Sequence, residues 1–274
     1  YGMVSTAIGR NSQSLNSYSI ALGTDAYAEQ MHSIAIGSAA KSQAISAIAM
    51  GNSSNASGSS SVAIGQNAFV NTSVNNGVAL GNGAQNLGKS QTGMIAIGST
   101  AQAGLDSRDV NDNSIAIGSR SRAYSLTGVD QLGSNAAGGS STAIGTFAKA
   151  YGLDSPVAIG DQAMATGRSA LAIGGKPGMA GTKAQGDFSV AIGGGAIAGP
   201  SATYGVAMGF DSSAQQFNSV AVGANALSSA NRAVAVGTRA KATNINASAF
   251  GDGSSASGAN AVAVGSNSSA SGAY

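Results

Sequence analysis

The sequence predicts an all-β protein built as a parallel β-roll, a β-solenoid in which coils of about 14 residues stack on one another. A phrase of the kind Val-Ala-Val-Gly recurs 17 times. Its most frequent spacing is 14 residues, which is too short to include a helical crossover between parallel strands. Glycine accounts for 41 of 274 residues and charged residues for 9%, and most apolar residues are small or β-branched, as thin and closely stacked sheets require.

Every copy of the phrase ends on a glycine, which we number as position 0. These glycines are Gly9, Gly23, Gly37, Gly51, Gly65, Gly81, Gly98, Gly118, Gly145, Gly160, Gly174, Gly193, Gly209, Gly223, Gly237, Gly251 and Gly265. We interpret the longer spacings as insertions into a fixed coil. The longest spacing, 27 residues, is predicted to contain a decayed copy, VDQLG, that ends at Gly133. We therefore expect one domain over residues 1–274, with insertion loops near 99–113, 119–141 and 175–188.

Each coil is predicted to contain two short strands, because apolar and small residues alternate in two runs separated by turn residues. The first strand covers about positions −4 to −1, and the glycine at 0 supplies a positive φ. The second strand covers about +2 to +6, and a turn rich in Ser, Asn and Gly returns the chain. Large residues at −3 and −1 are expected to face small residues at +3 and +5 in the core. Positions +2 and +4 are then expected on a solvated outer face.

Position −2 is alanine in all 17 copies, and position −4 is also mostly small. Alternation then predicts that −2 lies on the outer face of the first sheet. Two interpretations remain open: the alanine is a relic of duplication, or a second chain packs closely against this face. The pattern does not choose between two and three chains. The candidate contacts between chains are Ala63, Ala207, Ala221, Ala235 and Ala263.

The outer face of the second sheet carries basic, aromatic and aliphatic side chains at position +4. We predict that this face contacts a fibrous ligand such as collagen, with a neighbouring chain as the alternative for the apolar members. The candidate ligand contacts are Tyr27, Lys41, Phe69, Arg122, Lys149, Leu227 and Lys241.

Composition argues against several other functions. A net charge of +2 is too small for the electrostatic footprint of a nucleic-acid-binding protein, and no apolar run has the length of a membrane helix. Catalysis has little support, since the chain has one His, no Cys and only scattered acidic residues. No cofactor is expected. Asp106, Asp109 and Asp112 lie close together, but a solvated loop is favoured over a Ca²⁺ site because their spacing is not that of an EF-hand.

The phrases NSVAVGANALSSANRAVAVG, HSIAIGSAAKSQ, SSVAIGQNAF and NSIAIGSRSRA resemble the head repeats of trimeric autotransporter adhesins of the Yersinia-adhesin type. The resemblance extends from Thr6 to Gly265. It implies a left-handed parallel β-roll, assembly as a homotrimer, and display on a Gram-negative cell surface. It also implies a role in virulence through attachment to collagen, fibronectin, laminin or host cells, or through agglutination of bacteria.

The sequence shows no heptad stalk, neck or barrel strands. We expect stalk and outer-membrane anchor in regions outside this sequence, and no direct membrane contact by this domain. The alternative function is a structural spacer that projects a distal binding tip.

Overall fold

The computed structural model describes residues 4–88, 91–104, 113–123, 141–175 and 181–272. By its internal contacts the chain divides into two compact units, Tyr1–Phe147 and Ala148–Tyr274. The described residues of each unit form short parallel strands and turns, without a helix. Within a unit, strands of three residues form one sheet, here named sheet 1, and most strands of two residues form the other, named sheet 2. The predicted parallel β-roll is confirmed.

In the first unit, sheet 1 is made of the strands Thr6–Ile8, Ile20–Leu22, Ile34–Ile36, Ile48–Met50, Val62–Ile64, Val78–Leu80, Ile95–Ile97, Ile115–Ile117 and Thr142–Ile144. Its sheet 2 is made of Gln13–Ser14, Tyr27–Ala28, Lys41–Ser42, Asn55–Ala56, Phe69–Val70, Gln85–Asn86, Gln102–Ala103 and Arg122–Ala123. Every described coil of this unit thus adds one strand at positions −3 to −1 to sheet 1.

In the second unit, sheet 1 is made of Val157–Ile159, Leu171–Ile173, Val190–Ile192, Val206–Met208, Val220–Val222, Val234–Val236, Ser248–Phe250 and Val262–Val264. Its sheet 2 is made of Lys149–Ala150, Met164–Ala165, Lys183–Ala184, Ile197–Ala198, Ser213–Ala214, Leu227–Ser228, Lys241–Ala242, Ser255–Ala256 and Ser269–Ala270. Successive coils pair in parallel and in register, so that Ala221 lies beside Ala235.

Two tight turns per coil connect the strands, and each turn holds a residue in the left-handed region. These residues stand at positions +2 and −5, as for Asn225 (φ 56°) and Asn218 (φ 53°). Asn and Asp recur at these positions because they tolerate this conformation better than other non-glycine residues. A glycine at position 0 that is followed by another coil cannot be replaced by another residue, because both its φ and the next coil exclude a Cβ. Gly223 has φ 129°, and a Cβ there would lie 2.4 Å from the carbonyl oxygen of Gly237 in the next coil.

The interior of the roll consists of small side chains from both sheets. Alanines at +3 and +5, such as Ala240 and Ala242, are fully buried, as predicted. The predicted assignment of the first sheet is wrong. The alanine at −2 points inward and is buried, whereas the branched residues at −3 and −1 lie on the outer face of sheet 1. The alanines predicted to contact a second chain have exposures of 0–3% inside their own roll: Ala63, Ala207, Ala221, Ala235 and Ala263.

The physical reason for the reversal is the thinness of the roll. A coil with strands of three and two residues encloses the side chains at positions −4, −2, +3 and +5. The space between the two strands is narrow, so these four positions are mostly Ala or Ser. Buried serines fit where a turn carbonyl accepts the hydroxyl proton. Ser42 Oγ donates to the carbonyl of Ala47 at 2.8 Å, and Ser228 Oγ donates to that of Ala233 at 2.7 Å. Two buried hydroxyls at position −4, those of Ser141 and Ser189, have no hydrogen-bond partner among the described residues.

Two longer coils in the first unit contain a wider interior. Their extra residues form an additional parallel pair, Val74–Asn75 with Gln91–Thr92. Large residues then enter the core: Val70, Val74 and Met94 are fully buried. Gly77 leaves the space for them, because a Cβ at this residue would lie 2.7 Å from Val74 Cγ1. Here an insertion enlarges the core, where the sequence predicted only a loop on an unchanged coil.

The other insertions fall partly outside the described residues, which omit 105–112, 124–140 and 176–180. The predicted decayed copy VDQLG lies in the second gap. Among the described residues on either side of this gap, Ile115–Ile117 pairs directly with Thr142–Ile144. In the third insertion, Lys183–Ala184 occupies the sheet 2 place of its coil.

Candidate functional site

The outer faces of the two sheets differ in chemistry. On sheet 1, positions −3 and −1 present Ile, Val, Leu, Met and Phe in nearly every coil, and none of these positions carries a charge. Many of these side chains remain accessible, for example Ile64 at 38%, Met208 at 39% and Phe250 at 40%. A monomeric soluble protein rarely exposes a contiguous apolar surface of this kind. We name these residues the apolar face.

On sheet 2, position +4 presents mixed side chains to solvent, and we name this column the mixed face. All seven predicted ligand contacts lie on it. Lys41, Arg122 and Lys241 are exposed. Tyr27, Phe69, Lys149 and Leu227 are half-buried. Parallel pairing places Tyr27 directly beside Lys41 in the first unit and Leu227 directly beside Lys241 in the second.

Aromatic side chains stack along the turn at positions −5 and −6, which sequence reasoning did not identify. In the first unit, the rings of Tyr18 and His32 lie 5.1 Å apart and are nearly parallel. In the second, Phe188 stacks on Tyr204 at 5.3 Å, and Tyr204 meets Phe217 edge-on at 6.1 Å. The available signal was the repeat itself, because residues one coil apart occupy the same column and have the spacing of a stacked pair.

A groove of about 580 Å³ lies on the first unit, between its turn at +2 and its mixed face. It extends over three successive coils. Its lining residues are Asn11, Ser12, Gln13, Asp25, Ala26, Tyr27, Lys41 and Gln43. Two of them, Tyr27 and Lys41, were predicted ligand contacts. The other lining residues could not be predicted as one site, because the sequence alone does not show that positions +2, +4 and +6 border the same groove.

The described residues do not form a metal centre. No group of three or more His, Cys, Asp or Glu side chains within them could hold a metal ion. Asp106, Asp109 and Asp112 lie outside the described part, so the favoured solvated loop stays a prediction. His32 is exposed and stacks on Tyr18. No helix among the described residues has the length and apolar character needed to span a membrane.

The described surface is suited chemically to binding another surface through many side-chain contacts. The apolar face supplies area that is favourable to bury against another surface. The mixed face supplies isolated cations beside aromatic and aliphatic groups. The ion pair between Arg239 and Asp252, at 3.2 Å, lies in the turns that precede sheet 2 and is exposed, and such pairs contribute little to stability.

A family model described as the YadA head domain repeat matches most of the chain. The matched residues are 5–26, 16–40, 42–68, 133–155, 157–176, 180–196, 201–226, 214–240, 228–254, 242–268 and 256–274. A search of curated proteins finds no match. Among solved structures, the chain is similar to the crystal structure of the collagen-binding domain of the Yersinia adhesin YadA. The two are 26% identical over 61% of this chain and 69% of that chain, with a TM-score of 0.33.

Proposed function

Because the chain belongs to the family of YadA head domain repeats, we propose that it is the adhesive head of a protein displayed on the bacterial cell surface. The family is an adhesin family and not a known enzyme family. The proposed activity is attachment to host extracellular matrix or host cells, or agglutination of the bacteria with one another. Attachment to the outer membrane is proposed to depend on regions outside this sequence.

The observation that carries the proposal is the mixed face. Its exposed basic side chains, such as Lys41 and Lys241, project from strands that are held in register with their neighbours. An elongated protein ligand can contact such a column at several coils at once, and linked weak contacts gain affinity without a deep pocket. Collagen, fibronectin and laminin are the proposed matrix ligands.

The apolar face supports the second part of the proposal, assembly as a homotrimer. Burying a branched side chain that is half exposed contributes about 1 kcal/mol, taking about 25 cal/mol per Å² of apolar surface. Repeated over many coils, this gain favours a long symmetric contact between identical chains. The proposed contacts are therefore the residues at −3 and −1, such as Val222 and Val236, and no longer the alanines at −2.

A structural spacer remains the second candidate function. Position +4 differs from coil to coil, with Asn55, Gln85 and Ser213 among its residues. A column without a constant chemistry is also what a spacer would carry. Binding measurements on this chain alone distinguish the two functions.

The test reverses charge on the mixed face. We expect the triple variant Lys41→Glu, Lys149→Glu and Lys241→Glu to bind immobilised collagen at least about tenfold more weakly, since opposed charges slow association and weaken contacts at an interface. Surface plasmon resonance measures the change, with fibronectin and laminin as parallel ligands.

The matched control changes three exposed arginines that lie outside position +4: Arg10→Glu, Arg232→Glu and Arg239→Glu. It alters the net charge by the same amount and should retain binding within about twofold, because the contact surface is intact. Equal losses of collagen binding in both triple variants would show that the effect arises from net charge alone. Absence of binding by the unaltered chain to all three ligands would favour the spacer.

A further inference from the structure

We propose that the groove lined by Asn11, Gln13, Asp25, Tyr27, Lys41 and Gln43 is a binding site for a neutral oligosaccharide. This inference goes beyond the proposed function, which concerns matrix proteins and the charges of the mixed face. The groove combines a concave shape with convergent polar groups, as small-ligand sites do.

The groove follows the stacking direction of the coils. Gln13, Tyr27 and Lys41 lie on adjacent strands in register. Asn11 and Asp25 stand at the same turn position in successive coils, and Asn11 Nδ2 donates a hydrogen bond to Asp25 Oδ1 at 3.0 Å. Two parallel columns of side chains therefore line the groove, each advancing by about 4.8 Å per coil. This advance is comparable to the length of one pyranose residue, so a short sugar chain can meet the same chemistry at each step.

The lining residues match hydroxyl groups in particular. Every lining residue except Ala26 carries a polar side-chain group. The amides of Asn11, Gln13 and Gln43 each carry donors and an acceptor, the Asp25 carboxylate accepts, and the Lys41 ammonium donates. One Asn11 N–H already donates to Asp25, and within the described part of the chain the other is free for a ligand. A sugar hydroxyl also donates and accepts at the same oxygen. Such a set is suited to a polyhydroxylated ligand rather than to a group that only accepts or only donates.

Tyr27 supplies the apolar part of the site. Its side chain is half-buried and lines the groove. A pyranose ring presents a patch of C–H groups that packs on an aromatic face, while the phenol oxygen remains available for a hydrogen bond. The Gln43 side chain is oriented by a residue that does not line the groove, because Ser57 Oγ donates a hydrogen bond to Gln43 Oε1 at 2.9 Å.

Charge excludes the competing ligand classes. A single carboxylate, Asp25, beside the Lys41 ammonium gives the groove no net negative charge to attract Ca²⁺. One ammonium, Lys41, stands in the same groove as that carboxylate, so a phosphate or sulfate group would meet repulsion as well as attraction. An apolar ligand would leave the amides without partners, which costs free energy. A neutral sugar incurs none of these penalties.

The experiment screens the full chain on an array of neutral and acidic glycans, and then titrates it by calorimetry with maltotetraose, cellotetraose and chitotetraose, and with a heparin tetrasaccharide. We expect binding to a neutral glycan that weakens at least tenfold in Tyr27→Ser. Serine occupies position +4 at Ser213 and Ser255, so the coil accommodates it. The control Phe69→Ser removes an aromatic ring from the same column outside the groove, and should bind as the unaltered chain does.

Asp25→Ala is the second variant, because Ala39 stands at the same position in the next coil; it too should bind at least tenfold more weakly. The proposal is overturned if no neutral glycan on the array binds, or if Tyr27→Ser binds as tightly as the unaltered chain. It is equally overturned if only heparin binds and Lys41→Gln abolishes that binding. Collagen binding is measured separately on the same variants, so failure of the glycan site leaves the proposed matrix adhesion standing.

Discussion

The variant Ala235→Leu is expected to lower the free energy of unfolding by about 3 kcal/mol, near the upper end of the usual cost of overpacking a core. Ala235 is fully buried between the two sheets, with Ala221 and Ala249 directly beside it in register. Because the coils repeat at a fixed spacing, a larger side chain cannot be accommodated by moving one strand without breaking hydrogen bonds to both neighbouring coils. Thermal and urea unfolding followed by circular dichroism measure the loss.

The matched control for this prediction is Val236→Leu on the next residue of the same strand. Val236 lies on the outer face of sheet 1 and is half exposed, so an added methylene group meets no packed core. We expect a change of stability within about 0.5 kcal/mol, as for ordinary surface substitutions. If the two leucine variants were equally stable, the assignment of −2 to the interior would be wrong.

The double variant Val222→Asp and Val236→Asp is expected to abolish self-association while leaving the strands intact. The unaltered chain should sediment at about three times the chain mass of 26.2 kDa, as expected for a closed cyclic trimer. Two carboxylates on the apolar face would have to be buried without partners in the assembly, and isolated buried charges are strongly unfavourable. Analytical ultracentrifugation gives the mass, and far-UV circular dichroism reports the strands.

The control double variant, Ser213→Asp and Ser255→Asp, adds the same charge to the mixed face of the same unit. It should retain the mass of the unaltered protein. A monomeric unaltered chain, or a double aspartate variant on the apolar face that still associates, would be incompatible with the proposed trimer contact.

Much of the fold follows from the repeat. The 14-residue period predicts the coil, the phrase predicts the strand that ends before Gly223, and the small residues at Ala226 and Ser228 predict the inward side of sheet 2. Each of these rests on a local property, such as a positive φ at glycine or alternation along a strand. Seventeen copies make such local signals clear.

The side of sheet 1 that faces the core could not be predicted in this way. Alternation separates Val234 and Val236 from Ala235, but it does not say which set is inside. The usual rule that large apolar residues are buried fails here, because the space between the sheets is too thin for them and an apolar residue is often exposed in any protein. The candidate groove could not be predicted from the sequence either. Asn11, Asp25 and Gln43 are unremarkable in sequence, and only the stacking of three coils brings them to one groove.

Alanines at −2 are enclosed within each chain, and the branched residues at −1 are proposed to meet other chains. The chain has no Cys, so single cysteines at adjacent residues test this arrangement most directly. A short bismaleimide should link two chains through Val222→Cys in the assembled protein. Ala221→Cys should give no linked chains and should react with maleimide only after denaturation. Linkage through Ala221→Cys, with Val222→Cys unlinked in an assembled protein, would contradict this arrangement.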